Sequence, residues 1–185
     1  MARCYSVMMT KRQPALPDIW LISDARNDAR IETALAHLPR GSGLILRHYH
    51  LSRPERRARF ERLKRVARKH GHFVALSGTA AEARCWGADG AYGTPARLAG
   101  GPALLRLATA HSLREIGQAN RMRADAVLLS PVFPTRSHPG AQGLGPLRSR
   151  LLARRANAPV IALGGMNSRR AKRLQTRKWA AIDGI

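Results

Sequence analysis

Ser130-Pro-Val-Phe-Pro-Thr-Arg-Ser-His-Pro-Gly140, followed by Pro159-Val-Ile-Ala-Leu-Gly-Gly-Met-Asn-Ser168, decides the fold of this chain. Each segment joins an apolar run to a turn of glycines, hydroxyls or cations, and the second then opens into a helical pattern. The functional face of a parallel α/β barrel reads this way, because its strands end in loops that carry chemistry before a helix begins. Backbone N–H groups at Gly164, Gly165 and the following helix start converge on an anion in such a turn. Thr135, Ser137 and His138 offer further donors from the neighbouring loop. Alone, the two glycines read as a tight strand-to-helix turn. Joined to the Ser130–Gly140 segment, they read as a phosphate or diphosphate cradle.

Short apolar runs recur on either side, at Ile19–Ser23, Leu44–Arg47, Phe73–Leu76, Gly90–Tyr92, Leu105–Ala108, Ala126–Leu129, Val160–Leu163 and Ala180–Ile182. They are mostly continuous rather than alternating, as in parallel strands buried on both faces. Between them lie helical patterns. Ser52-Arg-Pro-Glu55 is a capping box with proline in the first turn, and Phe60, Leu63, Val66 and Ala67 follow at helical spacing. Ser112-Leu-Arg-Glu115 predicts a second capping box, and Asn167 caps a helix whose apolar side is Ala171 and Leu174. Eight strands separated by crossovers predict an α/β fold of the compact (β/α)8 TIM barrel type. An open doubly wound sheet of this length carries about five or six. Thr94–Pro102, with two prolines and two glycines, makes little helix. No helical pattern follows the eighth strand, so the barrel lacks a clear final helix. Residues 1–16 read as a flexible basic leader and 17–185 as the barrel.

At 185 residues and 44% hydrophobic, the chain is long enough for one well-buried domain, and disorder is not expected. Thirty-three Lys and Arg, 28 of them Arg, against eleven acidic residues leave a charge of +22, which suits anionic partners. Much of that charge lies between Arg56 and Lys69. Without an aromatic set, a zinc module or an RNA-binding motif beside it, this run reads as a solvated helix face, and specific nucleic-acid binding is not expected. Cys4 and Cys85 make neither a disulfide framework nor a CxxC pair, which points to a reducing, cytoplasmic setting. The apolar run Val7-Met8-Met9 is too short for a signal core, and no window approaches the roughly 18 apolar residues of a membrane span.

The segments Trp20-Leu-Ile-Ser-Asp24, Gly87-Ala-Asp-Gly90, Ala110-His-Ser-Leu-Arg-Glu115, Ser130-Pro-Val-Phe-Pro-Thr135 and Val160-Ile-Ala-Leu-Gly-Gly-Met166, in this order, resemble the thiamine phosphate synthase and thiazole tautomerase family of barrels. The resemblance runs from Leu16 onward. It implies an enzyme of thiamine biosynthesis, a transferase that joins a pyrimidine methyl diphosphate to a thiazole phosphate and releases diphosphate. Arg47, His111 and His138 are the catalytic candidates it implies, Arg47 as the family's strand arginine and His138 standing where the family has a lysine. Thr109, Thr135, Arg136, Ser137, Gly164 and Gly165 match the substrate-binding set. In the tautomerases a histidine at the position of His111 moves a proton on the thiazole. Synthases carry one there too, so His111 leaves both reactions open, as well as a plain packing role at a helix start. A barrel that has lost catalysis and binds phosphate or RNA is the third alternative.

The departures are as informative. Ile45 and Tyr49 replace the family's glutamine and lysine on the second strand. Ser77-Gly78 replaces the Asn-Asp pair, and Ala96 stands near the position of the acidic residue after the fourth strand; those carboxylates are the family's Mg2+ ligands. Mg2+ is therefore expected to be held through the substrate diphosphate alone. Asp183 replaces a phosphate-binding serine, so a bound phosphate requires an arginine to compensate it or a carboxylate that points away. Partners are phosphorylated heterocycles, with a homo-oligomer compatible with the uncovered end of the barrel.

Overall fold

In the computed structural model, which describes residues 15–135, 140, 142–183 and 185, eight parallel strands close into one barrel in chain order. They are β1 (Ile19–Ile22), β2 (Gly43–Leu46), β3 (Phe73–Ser77), β4 (Gly90–Gly93), β5 (Leu105–Ala110), β6 (Ala126–Leu129), β7 (Val160–Ala162) and β8 (Trp179–Ala181). β1 closes on β8 through the register Ile19↔Trp179 to Leu21↔Ala181. Each predicted strand is found, β6 with its expected bounds and the others with one or both ends moved by one or two residues. The helices are α1 (Ile31–His37), α2 (Arg53–Lys69), α3 (Ala80–Cys85), α4 (Pro95–Leu98), α5 (Leu113–Arg121), α6 (Gly145–Ala153) and α7 (Ser168–Leu174), with a 3-10 turn at Ala25–Arg30. β8 is the last regular element among the described residues.

Strand parity explains the continuous apolar runs. Trp20, Ile22, Ile45, Ala75, Tyr92, Leu107, Leu128, Ile161 and Ala180 point into the barrel and pack on one another. Their neighbours, among them Leu21, Leu44, Leu46, Val74, Leu76 and Val127, point outward and bury against the helices. Trp20 is wholly buried and its indole N–H donates to the Pro17 carbonyl. Its ring occupies the space of a side chain at Gly43, so glycine is required there. Leu16, assigned by sequence to the leader, packs against this inner cluster.

α2 begins as its capping box predicts: the Ser52 N–H donates to Glu55 at 2.9 Å. α5 differs. Ser112 Oγ accepts from the Glu115 N–H, but the Glu115 carboxylate reaches one residue further back and takes the His111 N–H. The return bond therefore fixes the backbone of His111 rather than that of the cap. α4 is a single turn, as its prolines and glycines dictate. At the mouth, the Asn27 amide donates to the carbonyls of Ile22 (2.9 Å) and Ile182 (2.8 Å), tying the ends of β1 and β8 together.

Candidate active site

A cavity of about 510 Å3 opens at the C-terminal ends of the strands, where barrels of this type carry their chemistry. One wall is made by the loops after β6 and β7, which dock on each other through backbone bonds. Val132 N–H donates to Leu163 O (2.8 Å) and Phe133 N–H to Gly164 O (3.1 Å). The approach is close enough to exclude a side chain at either glycine of the second loop. A Cβ at Gly164, whose φ is +91°, would lie 2.7 Å from Pro131 Cα, and one at Gly165 (φ +59°) would lie 2.5 Å from Pro134 O. The two glycines are therefore demanded by packing, and the same left-handed turn brings their backbone to the cavity beside Met166 and Asn167. Asn167 caps α7, as expected, by accepting from the Arg170 N–H. The Arg170 guanidinium then folds back, donating to Gly165 O and stacking over the Phe133 ring at 5.0 Å. It sets a cation at the glycine turn.

Across the cavity stand Arg47, at the end of β2, and Tyr92, on β4. Burial pushes the Tyr92 phenol up to about 12 even though Arg47 hydrogen-bonds to it, so it is a neutral hydroxyl at physiological pH. Thr109 and His111, from β5 and the loop after it, complete the back wall with Ser130. The His111 Nδ1 lies 2.8 Å from the Ser130 carbonyl oxygen. A carbonyl can only accept, so Nδ1 carries a proton, and Nε2 is the ring nitrogen left over from that bond.

Four alternating charges cross the mouth. Asp183, which lines the cavity, meets Arg26 at 3.4 Å; Arg26 meets Asp24 at 2.8 Å; Asp24 meets Arg47 at 2.6 Å. Burial works to raise the Asp24 carboxyl, but the bonds from Arg26 and Arg47 outweigh it and hold the group below the usual range. Asp24 also caps the 3-10 turn. The compensation that Asp183 requires is thus supplied by Arg26, whose guanidinium Asp24 and Asp183 hold above its usual value against burial.

Of the residues singled out by sequence, Arg47, Thr109, His111, Thr135, Gly164 and Gly165 line this one cavity. Arg136, Ser137 and His138 lie outside the described residues. Tyr92 and Arg170 were not anticipated. Inward parity on β4 marks the first, and a position three residues after the Asn167 cap marks the second. The residues do not fit a protein-held Mg2+. Ser77, Gly78, Thr94 and Ala96 bring no carboxylate to the ends of β3 and β4, and Glu82 nearby faces Arg56 at 4.0 Å. Among the described residues no three His, Cys, Asp or Glu gather as ligands.

The profile of the thiamine monophosphate synthase family matches residues 19–185. A putative thiamine-phosphate synthase 2 of Aquifex aeolicus is 38% identical over 77 residues, which are 42% of this chain and 41% of that relative. The solved structure of a thiamine phosphate pyrophosphorylase from Pyrococcus furiosus superimposes with a TM-score of 0.74 at 22% identity, covering 90% of this chain and 85% of the other. One from Bacteroides thetaiotaomicron does so at 0.55 and 18%, covering 89% and 81%. At such identities the two structures speak for the fold. Taken with the profile, which spans the whole barrel, they leave one assignment: the chain belongs to the thiamine monophosphate synthase family.

Proposed function

We propose that this protein is a thiamine phosphate synthase-like transferase that joins a pyrimidine methyl diphosphate to a thiazole phosphate. The observation that carries the reading is the two-sided cavity: the Gly164–Gly165 turn with Arg170 and Thr135 on one wall, Arg47 and Tyr92 on the other. The first wall takes the thiazole phosphate on backbone N–H groups and a guanidinium. The second takes the diphosphate. Its C–O bond breaks with both electrons leaving on the diphosphate, and the thiazole nitrogen lone pair closes the new C–N bond. Catalysis is then anion stabilisation and positioning rather than proton transfer. Among the described residues no helix is long and apolar enough to cross a membrane, and the free, exposed Cys85 suits a reducing cytoplasm. The test is incubation with both phosphorylated precursors, with and without Mg2+, followed by oxidation of any product to fluorescent thiochrome. Fluorescence no higher than an enzyme-free control removes the proposal.

His111 supports a second reading. With Nδ1 fixed on a carbonyl and the ring lining the cavity, Nε2 is placed to move a proton on a bound thiazole. His111→Ala should then abolish proton exchange at a thiazole carboxylate phosphate; unchanged exchange excludes it.

A further inference from the structure

Three oxygen atoms converge on one cation beside the cavity. Arg56, on α2, has a side chain only 11% exposed. Its Nε donates to the carbonyl of Arg47 at the end of β2 (2.7 Å), and Nη2 donates to the carbonyl of Ser77 at the end of β3 (2.6 Å). Nη1 lies 4.0 Å from the Glu82 carboxylate on α3. A side chain at position 78 would crowd this carboxylate, since a Cβ there would stand 2.5 Å from the Glu82 carboxylate oxygen. Two carbonyls and a carboxylate are ligands that a hard divalent cation also takes. Here a covalently attached guanidinium occupies them. Arg47, whose carbonyl is one of the three, sends its own side chain to the cavity, and Arg97, from α4, lies near enough to Arg56 for the two charges to repel.

We infer that Arg56 takes the place of a divalent metal at the diphosphate end of the cavity, so that this protein binds inorganic diphosphate without Mg2+. Arg47 makes the contact, and Arg56 is a positioning residue that holds the Arg47 backbone and supplies positive charge behind it. The inference rests on the assignment of this wall to a diphosphate.

The experiment is calorimetric titration of the full chain with sodium pyrophosphate, in EDTA and in excess Mg2+, with inorganic phosphate titrated in parallel. Wild-type affinities in the two buffers should agree within about twofold, a difference below 0.5 kcal/mol. Arg56→Ala empties the oxygen cage. Its metal-free affinity should fall by about tenfold or more, and Mg2+ should restore it, a metal dependence that the wild type lacks. Arg56→Lys keeps the charge without the fork and should retain part of the metal-free binding, which a purely structural role would not predict. A wild type that takes pyrophosphate only with Mg2+ overturns the inference even if the alanine variant does not fold. So does an Arg56→Ala protein that binds as tightly in EDTA as the wild type. If phosphate still binds in those cases, only the inference falls; if neither anion binds under any condition, the reading of the cavity falls with it.

Discussion

Gly164→Ala separates a packing requirement from a backbone preference, because Gly41 provides a matched control. Gly41 has φ +82° and nothing within 4 Å of a Cβ; Gly164 has φ +91° and meets Pro131 Cα at 2.7 Å, Pro131 Cβ at 2.8 Å and Val132 N at 3.2 Å. Placing an L side chain in this left-handed region costs about 1–2 kcal/mol at either site. Only Gly164 adds the overpacking term of about 1–3 kcal/mol, and its neighbours are backbone and a proline ring that cannot swing aside. Gly41→Ala should therefore lose about 1–2 kcal/mol and Gly164→Ala about 2–5 kcal/mol, a gap of roughly 2–12 °C in melting temperature for a domain of this size. Pushing the two loops apart also breaks the Val132–Leu163 and Phe133–Gly164 bonds that shape the cavity. Urea unfolding followed by circular dichroism reads the stabilities, and thermal protection by inorganic phosphate reads the site. Equal unfolding midpoints for the two variants, or full phosphate protection in Gly164→Ala, would refute the argument.

Asp183→Asn should tighten phosphate binding by roughly tenfold, since a carboxylate about 5 Å from a phosphate repels it by about 3 kcal/mol at an effective dielectric of about 20, and Arg26 and solvent reduce that figure; unchanged or weaker binding on titration would show that the carboxylate does not oppose the ligand. Stability should fall in two stages on acidification. Burial, against the opposing Asp28 bond, lowers the pKa of His48, so below about pH 6.5 the unfolded chain binds a proton that the folded one refuses, and stability drops until the folded value is reached. Asp18, Asp24, Asp28 and Glu32 are all held below their ordinary values, so a second loss begins as the unfolded carboxylates protonate near pH 4. Urea midpoints between pH 7 and pH 3 measure both stages, and His48→Asn should flatten the first; a wild-type curve level from pH 7 to pH 5 contradicts the assignment. RNA retained on the protein through α2 should be released by moderate salt, because Arg59, Arg62, Lys64 and Arg68 already pair with Asp28, Glu32, Glu61 and Asp89; retention that survives high salt in a filter-binding assay would count against it.

The barrel was legible because burial on both faces writes each strand as an unbroken apolar run. β4 has two glycines in four residues, and at the first of them Leu105 Cβ stands 3.1 Å from where a Gly90 Cβ would be. The strand tips were legible for the same reason, since a residue just past an apolar run must reach the mouth. What sequence could not supply is the pairing of charges across the mouth. Arg47 finds Asp24 over 23 positions, Asn27 joins β1 to Ile182 over 155, and Arg56 reaches Ser77 from an outer helix. Each depends on which strand ends the tertiary fold brings together rather than on local pattern, and the Asn27 link on the closure of β1 against β8. The capping shift at His111 has the opposite origin: Ser112 and Glu115 form the expected motif, but the glutamate reaches past it to a residue that lines the cavity.

Net charge and the site are separate matters. Eight of the eleven acidic residues are ion-paired. The other three, Glu55, Glu115 and Asp125, accept backbone N–H groups. The surplus of 22 positive charges therefore has no carboxylate side chain left to offset it, and it attracts any anion at low salt without distinguishing one from another. The mouth is the exception. Asp183 and Asp24 offset Arg26 and Arg47 there, so on the proposed reading a phosphate is selected by the contacts it makes with the glycine turn, Arg170, Arg47 and the Tyr92 hydroxyl rather than by net charge. On that reading, binding at the cavity should survive salt that strips anions from the outer helices.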